Sequence, residues 1–350
     1  MVSAGDRYRI QAQGCRHGES KSLFYAELFD ALAVDADSGG PAARVLASCD
    51  DLPLEAVTPL RLLGGIHREV LAGALPELAR RFPSTGGDGD AHTTLPALLA
   101  ALAAPSAVVQ EALTRDPQTN EVGRAAALAA GFCVVARDFD NPLRILEIGA
   151  SGGLNLRLDR FWFDAGNGAV WGDPESAVRF ERASYDGDAP FTPGAQIAER
   201  RGCDLHPIDA STDAGRLTLL GYVWPDQPER LARLRSALDI AAELPVTIDT
   251  AAADEWIDEH AHPRAGVTTV VFHSIMWQYL PNPLRRAIAG MLLERGATAT
   301  ADAPFAWLRF EPARDWSGAE LRLQRWPGGT ERLLATSSFH GPPVRFVAGE

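Results

Sequence analysis

A chain of 350 residues, 46% apolar and 23% charged, has the composition of an ordinary globular protein and is long enough for one large domain or two smaller ones. Its net charge of −13 disfavours a nucleic-acid partner, because phosphate binding draws on clustered cations. Lys21 is the only lysine in the sequence, which disfavours Walker-type phosphate loops and pyridoxal enzymes, since both depend on a lysine. These properties favour a small-molecule substrate.

The spacing of the cysteines and histidines predicts neither a redox motif nor a metal site. No two cysteines form a Cys-x-x-Cys pair, and His260 and His262 are followed by no third ligand. The N-terminus lacks the apolar core of a signal peptide, and the apolar run from Ala125 to Ala136 is too short to span a bilayer. We therefore expect a cytoplasmic protein with no metal and no membrane contact.

The first part of the chain, from Ser20 to about Arg137, has the three-four spacing of apolar residues that predicts helices. Residues with this spacing include Leu23, Phe24, Leu28, Phe29 and Leu32. Loops rich in glycine, serine and proline at 38–41 and 83–89 divide the region, and no strand is predicted in it. The pattern predicts an N-terminal helical cap domain over residues 1–140.

After Asn141 and Pro142 the pattern changes to alternating strands and helices. The predicted strands are Arg144–Ile148, Ile197–Cys203, Val246–Asp249, Thr268–Phe272 and Phe305–Phe310, followed by a hairpin of Leu321–Arg325 and Arg332–Thr336. The predicted helices are Pro228–Leu244 and Pro283–Arg295. Residues 141–350 are thus predicted to form an α/β domain with a Rossmann-like sheet of the methyltransferase type, mostly parallel and ending in an antiparallel C-terminal hairpin.

A glycine-rich turn follows the first predicted strand, in the run Glu147-Ile148-Gly149-Ala150-Ser151-Gly152-Gly153. Glycines let the backbone bend tightly and approach a ligand, and the amides that open the next helix carry partial positive charge. The turn is typical of S-adenosylmethionine (AdoMet) binding, although a purely structural tight turn explains the same letters. The candidate cofactor-binding residues in this region are Glu147, Gly149, Ser151, Gly152 and Asn155.

Asp204 ends the next predicted strand and is a candidate for holding the ribose hydroxyls, since a carboxylate accepts hydrogen bonds from both. Capping of the turn that follows is the structural alternative. The stretch between the glycine turn and Asp204 contains an insertion at about 161–195. The segment from Phe161 to Thr192 within it is rich in aromatic residues, which predicts a hairpin or lid beside the pocket.

Two further strand ends carry candidate site residues. Asp249 or Asp254 is expected beside the adenine, and the sequence does not choose between them. His273 ends the fourth strand and is the candidate general base or substrate holder, because imidazole titrates near neutrality. Tyr279 and Trp277 are candidates for the acceptor pocket; a buried structural histidine and core aromatics are the alternatives.

The run Gly149–Gly153 also fits a Gly-x-Ser-x-Gly nucleophile elbow. In that interpretation Ser151 is the nucleophile, Glu311 the acid and His340 the base. Against this hydrolase interpretation, such an elbow normally follows several earlier sheet strands, whereas the residues before 140 are predicted to be helical. The hydrolase interpretation also leaves the placement of Glu147 and Asp204 unexplained.

Over nearly its full length the chain resembles the bacterial domain-of-unknown-function 2332 family. The resemblance is carried by Gln118–Arg124, Glu147–Leu156 with Asp159 and Arg160, Gly202–Pro207 and Trp224–Arg230. The family is similar to AdoMet-dependent methyltransferases, which implies the fold and leaves the reaction open. The resemblance makes Asn120, Glu121 and Arg124 candidates for closing over the cofactor or substrate, with a capped helix start and a buried salt bridge as the alternative.

We therefore expect an enzyme, an AdoMet-dependent methyltransferase or a close AdoMet-using relative that acts on a small-molecule acceptor. The alternatives are a serine hydrolase that uses Ser151 and His340, and a non-catalytic protein that binds AdoMet or a nucleotide. The acceptor, the atom methylated and the oligomeric state do not follow from the sequence.

Overall fold

The computed structural model describes residues 2–18, 21–49, 51–191 and 194–347. Ser20, where the helical pattern was predicted to begin, and Thr192, which ends the aromatic segment, lie outside the described residues. The chain forms two compact units. The first comprises Met1–Thr119 and Thr212–Arg235, and the second comprises Asn120–Ser211 and Ser236–Glu350.

The helices, in chain order, are α1 (Ala4–His17), α2 (Leu23–Asp37), α3 (Pro41–Leu46), α4 (Thr58–Leu71), α5 (Pro76–Ala79), α6 (Ala91–Ala103), α7 (Ala107–Thr114), α8 (Ala125–Phe139), α9 (Asp213–Gly221), α10 (Pro228–Glu243), α11 (Ala253–His260) and α12 (Asn282–Ala297). No single helix in the described ranges is long and apolar enough to cross a membrane. Helices α6 and α7 reach the required length and apolar composition only when they are taken together, and the two are bent by 87° relative to each other.

The first unit is helical, as predicted. The apolar residues that gave α2 its three-four spacing are buried in the core of this unit. His67 of α4 is fully buried, with Nδ1 3.1 Å from the Gly221 carbonyl oxygen and Nε2 2.8 Å from Ser84 Oγ. Burial lowers the pKa of His67 to about 4, so the ring is neutral at physiological pH and ties α4 to its neighbours.

The strands of the second unit are β1 (Leu143–Ile148), β2 (Trp162–Asp164), β3 (Val170–Gly172), β4 (Arg179–Phe180), β5 (Tyr185–Asp186), β6 (Ile197–Asp204), β7 (Thr247–Thr250), β8 (Thr268–Ser274), β9 (Phe305–Pro312), β10 (Ala319–Trp326), β11 (Glu331–Ser338) and β12 (Gly341–Phe346). Nine of them form one sheet in the order β5-β12-β11-β10-β9-β8-β1-β6-β7. Strands β9, β8, β1, β6 and β7 are parallel neighbours, whereas β9 to β12 form an antiparallel meander.

The structure confirms an α/β fold with a helical N-terminal region and a large, mostly parallel sheet. All seven predicted strands are present, and each end lies within two residues of its predicted position. The predicted hairpin of β10 and β11 is also confirmed. Strand β12 was not predicted, because Pro342 and Pro343 interrupt the pattern and prolines are normally confined to strand edges and bulges.

The aromatic insertion forms a second sheet, in the order β3-β2-β4. Its aromatic residues pack on one another: the ring centroid of Phe163 lies 5.7 Å from that of Trp171 and 5.3 Å from that of Phe180. A surface cleft of about 600 Å³ beside this sheet is lined by residues that include Asp159, Trp162 and Ile197. Because β6 begins at Ile197, the cleft lies at the amino-terminal end of that strand and not at its carboxyl end.

The two faces of the large sheet are covered by different helices. Leu146 and Ile148 of β1 lie in a core cluster with residues of α11 and α12. On the other face, Phe132 of α8 contacts Phe272 of β8, with ring centroids 5.1 Å apart. Glu147 is the register partner of Phe272 and alternates with Leu146 and Ile148, so it belongs to the face that α8 covers. Since α8 packs on the sheet, the second unit begins at Asn120, earlier than the predicted boundary at 140.

Candidate functional site

The glycine-rich turn leaves the carboxyl end of β1, the central strand of the parallel block. Gly149, Ser151 and Gly153 have positive φ angles of 70°, 52° and 65°. The amides of Gly149 and Ala150 both donate to the Cys203 carbonyl oxygen, at 2.9 and 3.0 Å. The turn is therefore bent back onto the end of β6, and Ser151 holds a conformation that residues other than glycine rarely adopt.

The Asp204 side chain holds this turn through hydrogen bonds. One carboxylate oxygen accepts a hydrogen bond from the Ser151 amide at 2.9 Å, and the other accepts one from the His206 amide at 2.9 Å. The second bond is the turn-capping contact that was the structural alternative for this residue. Asp204 is thus held beside the glycine turn at the carboxyl edge of the sheet.

The helical segment after the glycine turn differs from the expectation. Leu154–Arg160 is a 3₁₀ helix and not an α-helix, and the Leu154 amide donates to the Asn120 Oδ1 atom at 2.8 Å. The expected partial positive charge of the opening amides is therefore partly used within the protein. The short helix offers no anion site of its own.

Three side chains around the turn have buried polar atoms without a hydrogen-bond partner among the described residues. They are Glu147 Oε2, Ser151 Oγ and Asn155 Oδ1, and their residues are at most 7% exposed. Buried polar atoms in proteins are nearly always paired, so each such atom calls for an explanation. Hydrogen-bond donors from a bound ligand or from ordered water would satisfy such atoms.

Burial raises the pKa of Glu147 well above its usual range. The Arg124 guanidinium opposes this effect, Asp204 adds to it, and Arg157 opposes it more weakly. Burial is the largest of these influences. Burial therefore favours the neutral form of the carboxyl, and a positive charge brought beside it would favour the charged form.

The segment Asn120–Arg124 adjoins the glycine turn, as the resemblance implied. In addition to the bond from Leu154, Asn155 Nδ2 donates to the Glu121 carbonyl oxygen at 3.4 Å. The Glu121 carboxylate accepts from the Gly123 amide at 2.9 Å and lies 3.5 Å from His340 Nδ1. This is the capped helix start that was the alternative interpretation, and it places Asn120 and Glu121 against the loop after β1.

Arg124 links this segment to two other strand ends. Its Nη1 donates to the Ser274 carbonyl oxygen at 3.0 Å, and its Nε donates to the Phe339 carbonyl oxygen at 3.1 Å. Ser274 ends β8, and Phe339 lies between β11 and β12. The guanidinium therefore ties the segment Asn120–Arg124 to the end of β8 and to the turn between β11 and β12.

His273 is fully buried, and both of its ring nitrogens are engaged. Nδ1 lies 2.6 Å from Glu311 Oε1, and Trp307 Nε1 donates to Nε2 at 3.1 Å. The Glu311 carboxylate also accepts from the amides of Met276 and Trp277, at 3.2 and 3.3 Å. Both ring nitrogens are thus paired within the protein, which favours the structural alternative for His273.

The two predicted acceptor-pocket aromatics lie in the loop after β8. Trp277 stacks on His273, with ring centroids 4.8 Å apart, and Tyr279 is 76% exposed. A side chain added at Gly149 would touch Met276, so this loop lies next to the glycine turn. Tyr279 has the accessibility that contact with a substrate requires.

The two acids near β7 are in different situations. Both carboxylate oxygens of Asp249 accept from Arg201, at 2.7 and 2.9 Å, and one also accepts from Trp256 Nε1 at 2.6 Å. Asp254 is half-buried in the first turn of α11, where no side chain caps the helix. Of the two, Asp249 is consumed by internal contacts, which leaves Asp254 as the candidate beside the adenine.

The hydrolase triad is not assembled. Ser151 Oγ makes no hydrogen bond within the described ranges, Glu311 pairs with His273, and His340 faces Glu121. A base-activated serine needs its base within hydrogen-bond reach, and a third group must orient that base. No group of three or more histidine, cysteine or acidic residues suited to a metal ion occurs in the part of the chain that the structure describes.

Sequence reasoning missed Arg157, a buried cation beneath the turn. Its Nη1 donates to the carbonyl oxygens of Gly152 and Gly153, at 3.3 and 2.8 Å, and its Nε donates to that of Leu244 at 2.7 Å. Burial lowers its pKa to about 10, so it remains charged at neutral pH. The available signal was an arginine set between leucines in the run Leu154–Leu158, where an apolar residue would be expected.

A family model described as "Uncharacterized protein conserved in bacteria (DUF2332)" matches residues 5–346. No curated protein and no solved structure matches the chain.

Proposed function

The chain belongs to the DUF2332 family, whose description names no activity, and we propose from the geometry of the site that it is an AdoMet-dependent methyltransferase acting on a small-molecule acceptor. The observation that carries the proposal is a set of three buried polar atoms around the glycine turn that have no hydrogen-bond partner among the described residues. They belong to Glu147, Ser151 and Asn155 and lie at the carboxyl end of the central parallel strand.

The position of this set in the sheet supports the proposal. The parallel strands follow the order β7-β6-β1-β8-β9, which changes direction at β1. In open α/β sheets, ligands bind outside the carboxyl ends of the strands at such a switch point. The parallel block and the antiparallel strands that follow it support the proposal of a Rossmann-like methyltransferase sheet.

The donor and acceptor chemistry of the residues fits AdoMet. Glu147 and Asn155 offer oxygen acceptors, which suits the ammonium of its amino-acid part. Asp204, held by the amides of Ser151 and His206, is the residue we assign to the ribose hydroxyls, since a carboxylate has about four acceptor sites. Asp254 is assigned to the adenine.

AdoMet would supply an activated methyl group on a sulfonium, whose departure leaves a neutral thioether. Such a transfer depends on alignment of the reacting atoms more than on a strong acid or base. The engagement of both His273 nitrogens is therefore compatible with the reaction. The residues assigned to the acceptor side are Tyr279 and Trp277, while Asn120, Glu121 and Arg124 hold the loops in place.

Equilibrium dialysis with AdoMet labelled in its methyl group tests the proposal. We expect saturable binding that Asp204→Ala weakens about tenfold or more, the equivalent of ~1.4 kcal/mol. Asp164→Ala is the matched control, because Asp164 caps a turn in the same way, accepting from the Gly166 amide at 2.8 Å, but lies in the small sheet. Absence of binding by the wild-type protein would contradict the proposal.

A second step separates catalysis from binding alone. The protein is incubated with labelled AdoMet and a panel of small amines, phenols, carboxylic acids and thiols. We expect label in at least one acceptor class, with a rate that Tyr279→Ala reduces. Binding without transfer to any acceptor would favour the non-catalytic alternative.

A further inference from the structure

We propose that Glu147 is a proton-linked recognition group: it is protonated in the unliganded protein and releases its proton when the ammonium of the ligand comes to lie against it. The inference rests on the proposed function, because the ammonium in question is that of the amino-acid part of AdoMet. It adds a property of the site that no methyltransferase chemistry requires.

The first support is the set of unpartnered atoms. Glu147 Oε2, Ser151 Oγ and Asn155 Oδ1 are buried without a hydrogen-bond partner among the described residues. An amide oxygen only accepts hydrogen bonds, and a hydroxyl or carboxyl oxygen also accepts. An ammonium group has three N–H donors and no acceptor. A ligand ammonium would therefore supply donors of the kind that these oxygens lack.

The second support is the placement of the charges around Glu147. Arg124 directs two of its nitrogens at the carbonyl oxygens of Ser274 and Phe339. Arg157 donates to carbonyl oxygens of the glycine turn. Of the remaining neighbours, Asp204 is an acid and disfavours a second carboxylate beside it. The Cys203 thiol supplies no charge, because burial raises its pKa to about 12. The carboxyl thus lacks a cation of its own strong enough to offset burial.

These two facts couple ligand binding to proton release. A buried carboxylate is costly without a partner, and an ammonium placed against it supplies the opposite charge. On binding, the O–H bond of Glu147 breaks, the proton passes to the buffer, and the ligand keeps its positive charge. The affinity should therefore rise with pH, by up to tenfold per unit, as long as the unliganded carboxyl is protonated.

Calorimetric titration of the intact chain with AdoMet measures this proton directly. The titration is run at about pH 6.5, where an α-ammonium is mostly charged, in phosphate and in imidazole buffer. The difference between the two binding enthalpies, divided by the difference between the buffer ionisation enthalpies, gives the number of protons released. We expect proton release by the wild-type protein and none by Glu147→Gln.

Two controls sharpen the result. Glu199→Gln should still release the proton, because Glu199 is already ionised through its pairing with Arg144 and Arg264 and has none to give. Methylthioadenosine, which lacks the amino-acid part, should release no proton when it binds. Proton release with this ligand would contradict the assignment to the ammonium.

The outcomes distinguish this inference from the proposed function. Equal AdoMet binding enthalpies in the two buffers would overturn proton linkage and leave AdoMet binding established. Absence of binding to the wild-type protein would overturn both. The wild-type measurement decides the matter even if the Glu147→Gln variant does not fold.

Discussion

The stability of the unliganded protein should depend on pH through Glu147. Because burial raises the pKa of this carboxyl well above the ordinary value of 4.5, the folded protein keeps a proton that the unfolded chain loses. The free energy of unfolding therefore falls as the pH rises from the ordinary pKa toward the raised one. Glu147→Gln has a similar volume and does not titrate, so it lacks this decline.

The size of the effect follows from the proton count. A difference of one bound proton between the folded and unfolded states changes the free energy of unfolding by about 1.4 kcal/mol per pH unit. Over two pH units inside the window, the wild-type protein should lose up to about 2.7 kcal/mol relative to Glu147→Gln. Arg124 and Arg157 lower the raised pKa, and with Asp204 they set the pH at which the loss ends.

Urea unfolding followed by tryptophan fluorescence measures this loss. Of the eight tryptophans, Trp224 alone lies in the first unit, so the signal reports mainly on the second. Unfolding curves are recorded for both proteins at about pH 5, 6 and 7. We expect the difference in unfolding free energy to grow in favour of Glu147→Gln as the pH rises. A difference that is the same at every pH would refute the reasoning.

Substitutions at three positions test the architecture of the site. Asn120→Ala should lower the free energy of unfolding by about 1–3 kcal/mol, because it leaves the buried Leu154 amide unpaired, whereas Asn120→Asp keeps an acceptor. Equal losses for the two variants in urea unfolding would count against this role of the Asn120 side chain. Gly153→Ala should lower the free energy of unfolding by about 1–2 kcal/mol, since the φ angle at Gly153 is +65°. Gly290 lies on a helix with open space around it, so Gly290→Ala should raise the free energy of unfolding by about 0.5–1 kcal/mol in the same assay. His273→Ala should lower stability by about 1–3 kcal/mol without changing the affinity for AdoMet in dialysis, and a large loss of affinity would reinstate a direct role.

The parallel part of the fold was most predictable where a strand carries a short apolar run, as in Val270–Phe272 of β8 and Phe305–Leu308 of β9. Strands β1 and β8 are buried along nearly their whole length, as expected for strands covered on both faces. Strand β12 was not predicted because Pro342 and Pro343 interrupt the pattern of a strand. It is a strand because it pairs with β11, and the local sequence does not reveal that pairing.

The position of the candidate site was predictable from the sequence, but its side-chain contacts were not. The glycine turn and Asp204 could be placed together, because parallel strands end at one edge of the sheet. The contacts of Asn120 with Leu154 and of His273 with Glu311 join residues that lie far apart in sequence, so only the folded chain reveals them. The latter contact also favours the structural alternative for His273, because it occupies one of the two ring nitrogens.

Direct calorimetric titration of the full chain with AdoMet and with its demethylated product tests most plainly whether the turn after β1 binds AdoMet. We predict saturable heats of binding for both ligands, with one site per chain, and weakening by Asp204→Ala. Absence of binding heat for both ligands, in a protein that unfolds cooperatively, would contradict the account.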